Sequence, residues 1–431
     1  MMKIFLPIAF LCGLVISGFS QNTLFTILSP SQANLNTSEQ EFVDRMRLDP
    51  YTAQLNLVSL GNLSNLQQSG ILSFLMPNSL TPYGAEALRV QYEDETNYIW
   101  TGRFPNQKGS MSLVRNPGGF GGFIDHEEAS YTILPINPAV SAMIQHQTQD
   151  STPTSCGVNA TTGRFPANTA DECNFTECTD IVDVLLLWTP EASDYLRAFS
   201  NPFLTAIVGT FEIEAMNIGF ANSGLEGEIR VRAVDFEMPR YDQQLDMSED
   251  VQILKTETNI DEIRAAYGAN LVVLLTNQNY QNYGIVDEIG PDENKAYAIV
   301  EVRSFAFFRW TLAHELGHLF GGLHQDDIEG PQCAHAYRFT DNSGTTRNTL
   351  VASVNPNLGV GQRILYYSNP NIQFGGVPAG VVGNANVAGR ISNTTCEVAN
   401  FLPPARLSIE IGGLLYFVES ISLQYLKLIR L

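Results

Sequence analysis

The sequence predicts an α+β (mixed α/β) protein: a mainly antiparallel β domain, then a second domain with a twisted mixed sheet and a functional helix. Three observations predict it. Short alternating segments separated by turn residues run from about residue 98 to 134. Apolar strands then alternate with helical stretches from Ile181 to Val302. Finally, His314-Glu315-Leu316-Gly317-His318, Gly321 and His324 form the pattern H-E-x-x-H-x-x-G-x-x-H.

At 431 residues the chain is long enough for two domains or more. Its formal net charge of −21 argues against nucleic acid and anionic membrane surfaces as partners. Residues 1–20 read as a signal peptide: Lys3 is basic, Ile4 to Ile16 is apolar, and Gly18 and Ser20 suit cleavage near Gln21. The apolar run is short for a membrane span, and a secreted, extracellular protein is expected. Export permits disulfides. Five cysteines follow the leader: Cys156, Cys173, Cys178, Cys333 and Cys396. An odd count leaves at least one thiol unpaired within a monomer. A Cys333–Cys396 pair is plausible, and a Cys173–Cys178 pair would leave Cys156 free. Cys156 bonded to Cys173 or Cys178 is the alternative.

In the first region, Ser38 to Arg47 reads as a helix start. Tyr98 to Phe104 and Ser110 to Val114 alternate as strands. Gly118, Gly119, Gly121 and Gly122 mark a turn before a strand at Ser130 to Leu134. Together these form an antiparallel meander. Residues 157–179 are polar, rich in Asn, Thr and Ala, and read as a linker and processing region.

The second region, 180–405, opens with Ile181 to Leu187, the continuous apolar run of a central strand. A helix is expected at roughly 204–221, ended by Asn222-Ser223-Gly224, then a half-exposed strand at Glu228 to Asp235. A helix at 259–267 is capped by Gly268, and Leu271 to Leu275 is a second buried strand. Tyr297 to Val302 is the last strand before the histidine helix and is expected at the sheet edge, where an extended peptide could add to it. Ser368 to Gly380 reads as a loop, either a wall of the pocket or ordinary surface. Residues 406–431 form an apolar, irregular tail.

The histidine spacing carries chemistry. Positions i and i+4 share one helix face, so His314 and His318 can hold one ion. Glu315 lies one position on, within reach of a water beside that ion. Gly321 can enter a left-handed cap and turn the chain, bringing in His324. Three neutral imidazoles leave zinc an open fourth position, as catalytic rather than structural sites do. The plain alternative is an amphipathic helix with core histidines, which does not account for the carboxylate and the glycine.

This long motif resembles that of the metzincin zinc endopeptidases. IVDVLLLWTPEA, FANSGLEGEIRV, YGANLVVLL, AHAYRFT and YYSNPNIQFGGVPAGV resemble successive landmarks of reprolysin-like members, the bacterial secreted peptidyl-Asp type among them. The resemblance covers about Cys178 to Asn400. It implies a metzincin-like catalytic domain with a twisted mixed sheet and active-site helix. It also implies His314, His318 and His324 as ligands of one Zn2+, Glu315 as general base, and protein or peptide substrates. Residues 21–156 are similar in order and position to a propeptide-like β domain. Ca2+ is possible, but no D-x-D-x-D-G loop is present.

One departure stands out. Metzincins carry a turn methionine below the zinc, and here Met247 is the last methionine in the chain. Val351, within Arg347 to Ser353, takes the expected place, and Ser353 stands where some members have a metal-directed tyrosine. Tyr366 and Tyr367 are not assigned to zinc. His335 reads as a structural histidine near the site, with a fourth ligand as the alternative. The missing methionine also leaves open a binding protein, a zinc-containing adhesin or decoy without turnover. Cys156-Gly157-Val158 resembles the end of several metzincin propeptides, whose thiolate closes the zinc's open position, which implies a latency switch.

Overall fold

The computed structural model describes residues 24–50, 52–61, 70–76, 81–127, 129–146, 157–158, 173–175, 181–196, 202–225, 230–256, 258–280, 282–307, 310–328, 330–353, 361–403, 407–411 and 414–418. The expected signal peptide, Cys156 and Cys178 lie outside these residues.

The first region holds helices α1 (Pro30–Ala33) and α2 (Thr37–Leu48) and strands β1 (Phe25–Ile27), β2 (Thr52–Leu60), β3 (Ile71–Phe74), β4 (Tyr83–Asp94), β5 (Asn97–Phe104), β6 (Gly109–Asn116), β7 (Gly119–His126), β8 (Ala129–Pro135) and β9 (Ser141–His146). They form one antiparallel sheet in the order β1-β2-β9-β8-β7-β6-β5-β4-β3, the meander expected from the alternation. A reciprocal cap starts α2. Asn36 accepts from the Glu39 N–H at 3.0 Å, and Glu39 accepts from the Asn36 N–H at 2.9 Å.

The glycine-rich turn needs correction. Gly119, Gly121 and Gly122 lie inside β7. A β-carbon on Gly121 would come 2.6 Å from Ile207 Cγ2 and 2.9 Å from the Ile133 carbonyl oxygen. The missing side chain lets a helix of the second region pack onto the sheet.

After β10 (Gly157–Val158), the second region contains β11 (Ile181–Trp188), α3 (Pro190–Leu196), α4 (Pro202–Asn222), β12 (Arg230–Glu237), α5 (Met247–Thr256), α6 (Thr258–Tyr267), β13 (Leu271–Thr276), β14 (Gly284–Val286), β15 (Tyr297–Glu301) and α7 (Thr311–Leu319). The sheet order is β10-β14-β15-β13-β11-β12. The β14–β15 pairing is antiparallel, and every other pairing in this sheet is parallel. β11 and β13 are central and almost wholly buried, as their unbroken apolar runs require. The expectation of β15 at the edge is overturned, because β14 covers it through Ile285↔Ile299 and its neighbours. In turn, β10 lies parallel on β14, with Gly157 opposite Ile285 and Val158 opposite Val286. Helices α3 and α5 were also not legible as separate elements.

Helix α4 joins the two regions. It packs on β6 and β7 of the first sheet and on β12 and α7 of the second region. It is apolar enough to cross a membrane over Leu204–Asn222, yet 78% of that stretch is buried inside the fold. A helix covered on several sides needs no polar face. Glu214 of the helix pairs with Arg89 of β4 and accepts from Thr101 Oγ1 of β5 at 3.0 Å. Phe123 of β7 packs edge-on to Trp310 at 4.7 Å and to Phe211 of α4 at 6.5 Å. One apolar core therefore runs from the first region into the second.

Beyond α7 come β16 (Arg338–Thr340), β17 (Thr346–Asn348), β18 (Gln362–Arg363), β19 (Asn369–Phe374), β20 (Val377–Ala379), α8 (Val387–Ala399), β21 (Leu407–Ile411) and β22 (Leu414–Val418). The stretch read as a loop at 368–380 is the β19–β20 hairpin, with Gly375 and Gly376 at positive φ in its turn. The apolar tail contains the β21–β22 hairpin. The disulfide expectations are also corrected. Cys173 is bonded to Cys333, which removes the Cys333–Cys396, Cys173–Cys178 and Cys156–Cys173 pairings. Cys396 is itself disulfide-bonded.

Candidate metal centre

Helix α7 carries the motif, and both of its ends show how the sequence shapes it. Trp310 precedes it at φ 50°, an uncommon conformation for a bulky residue, held by burial against Phe123. At the other end Gly321 has φ 95°, and a β-carbon there would come 2.6 Å from Arg390 Nε. Its N–H donates to the His318 carbonyl at 2.8 Å, and Gly322 N–H donates to the Gly317 carbonyl at 2.9 Å. This closing turn is the glycine cap that the spacing predicts, and it swings His324 back over the helix.

The three Nε2 atoms converge. The separations are 3.2 Å for His314–His318, 3.1 Å for His318–His324 and 3.4 Å for His314–His324. Nδ1 of His314 donates to the Leu350 carbonyl and Nδ1 of His318 to the Gly322 carbonyl, both at 2.7 Å. Those bonds fix the tautomers and leave the Nε2 lone pairs aimed at one point. The donor set fits zinc, since tetrahedral Zn–N bonds of about 2.0–2.1 Å place the nitrogens about 3.3 Å apart. The His324 N–H donates to Asp327 Oδ2 at 2.7 Å, and its Nδ1 faces Asp327 Oδ1 at 3.5 Å. Burial, then the charges of Arg363 and the neighbouring histidines, pushes His314 well below its ordinary range. Burial, followed by the charge of His324, pushes His318 down to about 3. Both rings are thus held neutral, the state a metal requires. Among the described residues this is the one group of three or more His, Cys, Asp or Glu able to share an ion.

Glu315 is fully buried on α7 and faces β14. A β-carbon on Gly284 of β14 would come within 2.7 Å of its Cγ and Cδ. Beneath the helix sits Val351, also fully buried, and a β-carbon on Gly317 would meet its Cγ2 at 2.6 Å. The valine thus occupies the floor where the turn methionine is expected. Tyr367 stacks on Phe220 at 5.5 Å and donates its hydroxyl to the Ala313 carbonyl at 2.9 Å. That hydroxyl is committed away from the histidine triad.

Ser353 clasps Gln325: its N–H donates to Oε1 at 2.9 Å, and its Oγ accepts from Nε2 at 2.8 Å. The ring nitrogens of His335 face the carbonyls of Gln332 at 2.8 Å and Asp327 at 2.9 Å, so it ties backbone together beside the site. In the first region His126 packs between Tyr83 and Phe104, and His146 Nε2 pairs with Thr132 Oγ1 at 2.9 Å. The candidate switch, Cys156, lies outside the described residues.

Two neighbours of the site escaped the sequence reading. Gly284 has no motif around it. Arg363 of β18 donates from Nη2 to the Ala352 carbonyl at 2.9 Å, a contact that follows only from the folding of the floor turn.

Residues 211–325 match the family described as Metallo-peptidase family M12B Reprolysin-like. A peptidyl-Asp metalloendopeptidase from Stenotrophomonas maltophilia (strain R551-3) is 27% identical over 228 residues, covering 49% of this chain and 53% of that protein. A protein of the same name from Xanthomonas campestris pv. campestris is 27% identical over 225 residues, covering 49% of this chain and 52% of that protein. The chain thus spans about half the length of the curated relatives it matches. Among solved structures, metalloproteinase-II from Bacteroides fragilis aligns with 62% of this chain and 85% of its own, at 12% identity and a TM-score of 0.39.

Proposed function

We propose, from the similarity to reprolysin-like metallopeptidases and the converging histidines, that this chain is a secreted zinc-dependent endopeptidase. The observation that carries the reading is the triad of Nε2 atoms, each within 3.4 Å of the others, beside a buried carboxylate. His314, His318 and His324 would hold the ion. Zinc supplies Lewis acidity toward the scissile carbonyl and makes hydroxide available near neutral pH.

Glu315 takes the proton of the attacking water and later gives it to the leaving amine. Its burial against Gly284 keeps it oriented. An extended protein or peptide substrate would pair with β14, in place of β15 as the sequence suggested. Val351 fills the floor under Gly317, which favours the active enzyme over a silent zinc-binding adhesin or decoy. The relatives are named for an aspartyl residue, and we propose the same preference here.

The precursor would be latent. Gly157 and Val158 lie along β14, the strand that would receive substrate. Cys156 immediately precedes them, and a thiolate there would be a strong zinc ligand able to exclude water. Digestion of casein by the processed, zinc-loaded protein, with and without a chelator, tests the function. Cleavage abolished by the chelator and restored by zinc is expected. Absence of cleavage with a full complement of zinc overturns the reading.

A further inference from the structure

Strand β14 is short for a strand that receives substrate. It meets β15 through the pairs Gly284↔Val300, Ile285↔Ile299 and Val286↔Ala298. Just outside them, the Tyr283 carbonyl accepts from the Glu301 N–H at 2.8 Å, and the Asp287 N–H donates to the Tyr297 carbonyl at 3.0 Å. Its side chains alternate between two faces. Gly284 lies against Glu315 of α7, and Val286 joins the core that holds Leu312 and Leu316. Ile285 belongs to a different cluster, with Val251 and Leu254 of α5. The strand is thus held between α5 and the helix that carries the histidines.

α5 also grips the chain on both sides of β14. Ahead of the strand, the Tyr280 hydroxyl donates to Asp250. That fully buried carboxylate also accepts from Tyr241 Oη at 3.1 Å and from the Gln244 N–H at 3.0 Å. Behind the strand, the carboxylate of Asp287 is buried as well. Lys255 Nζ lies 2.6 Å from its Oδ2, and Gln252 Nε2 donates to its Oδ1 at 2.9 Å. Positions 252 and 255 share one face of α5, so a single helical turn supplies both donors. Lys295 stands 3.8 Å from Asp287 and closer, at 3.2 Å, to Glu288. Lys255 is therefore the cation in contact. A buried carboxylate without its cation is strongly destabilising, so this pair fixes where the end of β14 can sit.

We infer that Asp287 is a positioning residue for peptide hydrolysis: clamped by Lys255 and Gln252, it holds β14 so that Gly284 seats Glu315 and the strand's outer edge receives substrate. The inference rests on the endopeptidase reading above and names what sets the substrate strand. Asp287 acts through β14 and takes no part in the proton transfers.

Asp287→Asn, Lys255→Met and the double variant Lys255→Met/Asp287→Leu test it in the processed, zinc-loaded protein, on an internally quenched peptide with one central Asp. The double variant replaces both charges by apolar groups, which keeps the fold where a lone buried charge would not. Denaturation curves and zinc content select conditions in which each variant is folded and loaded. Each should lose at least ~10-fold in kcat/KM, the scale of a small displacement of reacting groups. KM should rise as well as kcat fall, because the same strand pairs with substrate. Lys255→Arg keeps the ion pair and should recover most of the activity. A pair that only stabilises the fold leaves kcat and KM of the folded, loaded double variant at wild-type values, and that result overturns the inference. An arm without turnover separates the two claims: calorimetric affinity of the same peptide for zinc-loaded Glu315→Gln, alone and combined with Lys255→Met/Asp287→Leu. Weaker binding by the combined variant is expected, and equal affinities overturn the role of Asp287. Weaker binding by the combined variant, with no cleavage by wild type, overturns the endopeptidase reading and leaves the clamp standing.

Discussion

Gly284 of β14 lies directly against the Glu315 carboxylate, with no room between them for a β-carbon. Gly284→Ala should therefore displace the carboxylate while leaving the histidines in place. A fall in kcat of at least ~10-fold at unchanged zinc content is expected, since small misplacements of a reacting group are costly. Glu315→Gln should fold, bind zinc and lose at least ~100-fold in rate, the scale of general-base removal. Near-normal proteolysis by Glu315→Gln would remove it from the mechanism.

Zinc retention tests His324. Its imidazole arrives from beyond the Gly321 turn, and one of three protein ligands is lost in His324→Ala. Retention should weaken at least ~100-fold, read by metal analysis after dialysis against a competing chelator. One tightly held zinc per chain in that variant would take His324 out of the site.

Val351 is packed on every side, so Val351→Met adds volume to a full floor. A loss of about 1–3 kcal/mol in chemical denaturation is expected, the range for modest overpacking. A larger loss, or unfolding, would show that the floor cannot take the family's usual residue.

His146 makes stability depend on acid. Burial pushes it down to about 3, while in the unfolded chain it titrates near about 6.5. Between those values the unfolded state binds the extra proton, so stability falls as pH drops from about 6.5 toward 3. The slope from this one group approaches about 1.4 kcal/mol per pH unit. Denaturation midpoints of wild type and His146→Gln should diverge in slope across that window. Parallel curves would assign the acid sensitivity elsewhere.

Latency is read on the precursor. Cys156→Ser should be active before any cleavage, and a thiol-modifying reagent should activate the wild-type precursor. A precursor already fully active, or mass mapping that finds Cys156 in a disulfide, overturns the thiolate switch.

What the sequence disclosed follows the range of each interaction. The histidine site was legible because helix geometry and one glycine turn gather it within 11 residues, His314 to His324. The central strands were legible because burial on both faces writes an unbroken apolar run, as in Ile181 to Trp188. β14 was not, because Gly284–Val286 is three residues long and has no pattern to repeat. Gly121 of β7 read as part of a turn because its reason, the approach of Ile207, comes from a helix far along the chain. The Cys173–Cys333 bond spans 160 positions, and nothing local distinguishes that pairing from its rivals.

That bond also makes electrophoresis a reporter of where the chain is cut. Cys173 stands in the polar connection ahead of Ile181, and Cys333 follows the histidine motif. A cut on the N-terminal side of Cys173 leaves this bond wholly within the C-terminal fragment, so the bond does not tether the two pieces. A cut between Cys173 and Ile181 leaves two fragments tethered through Cys333, which separate on a gel only after reduction.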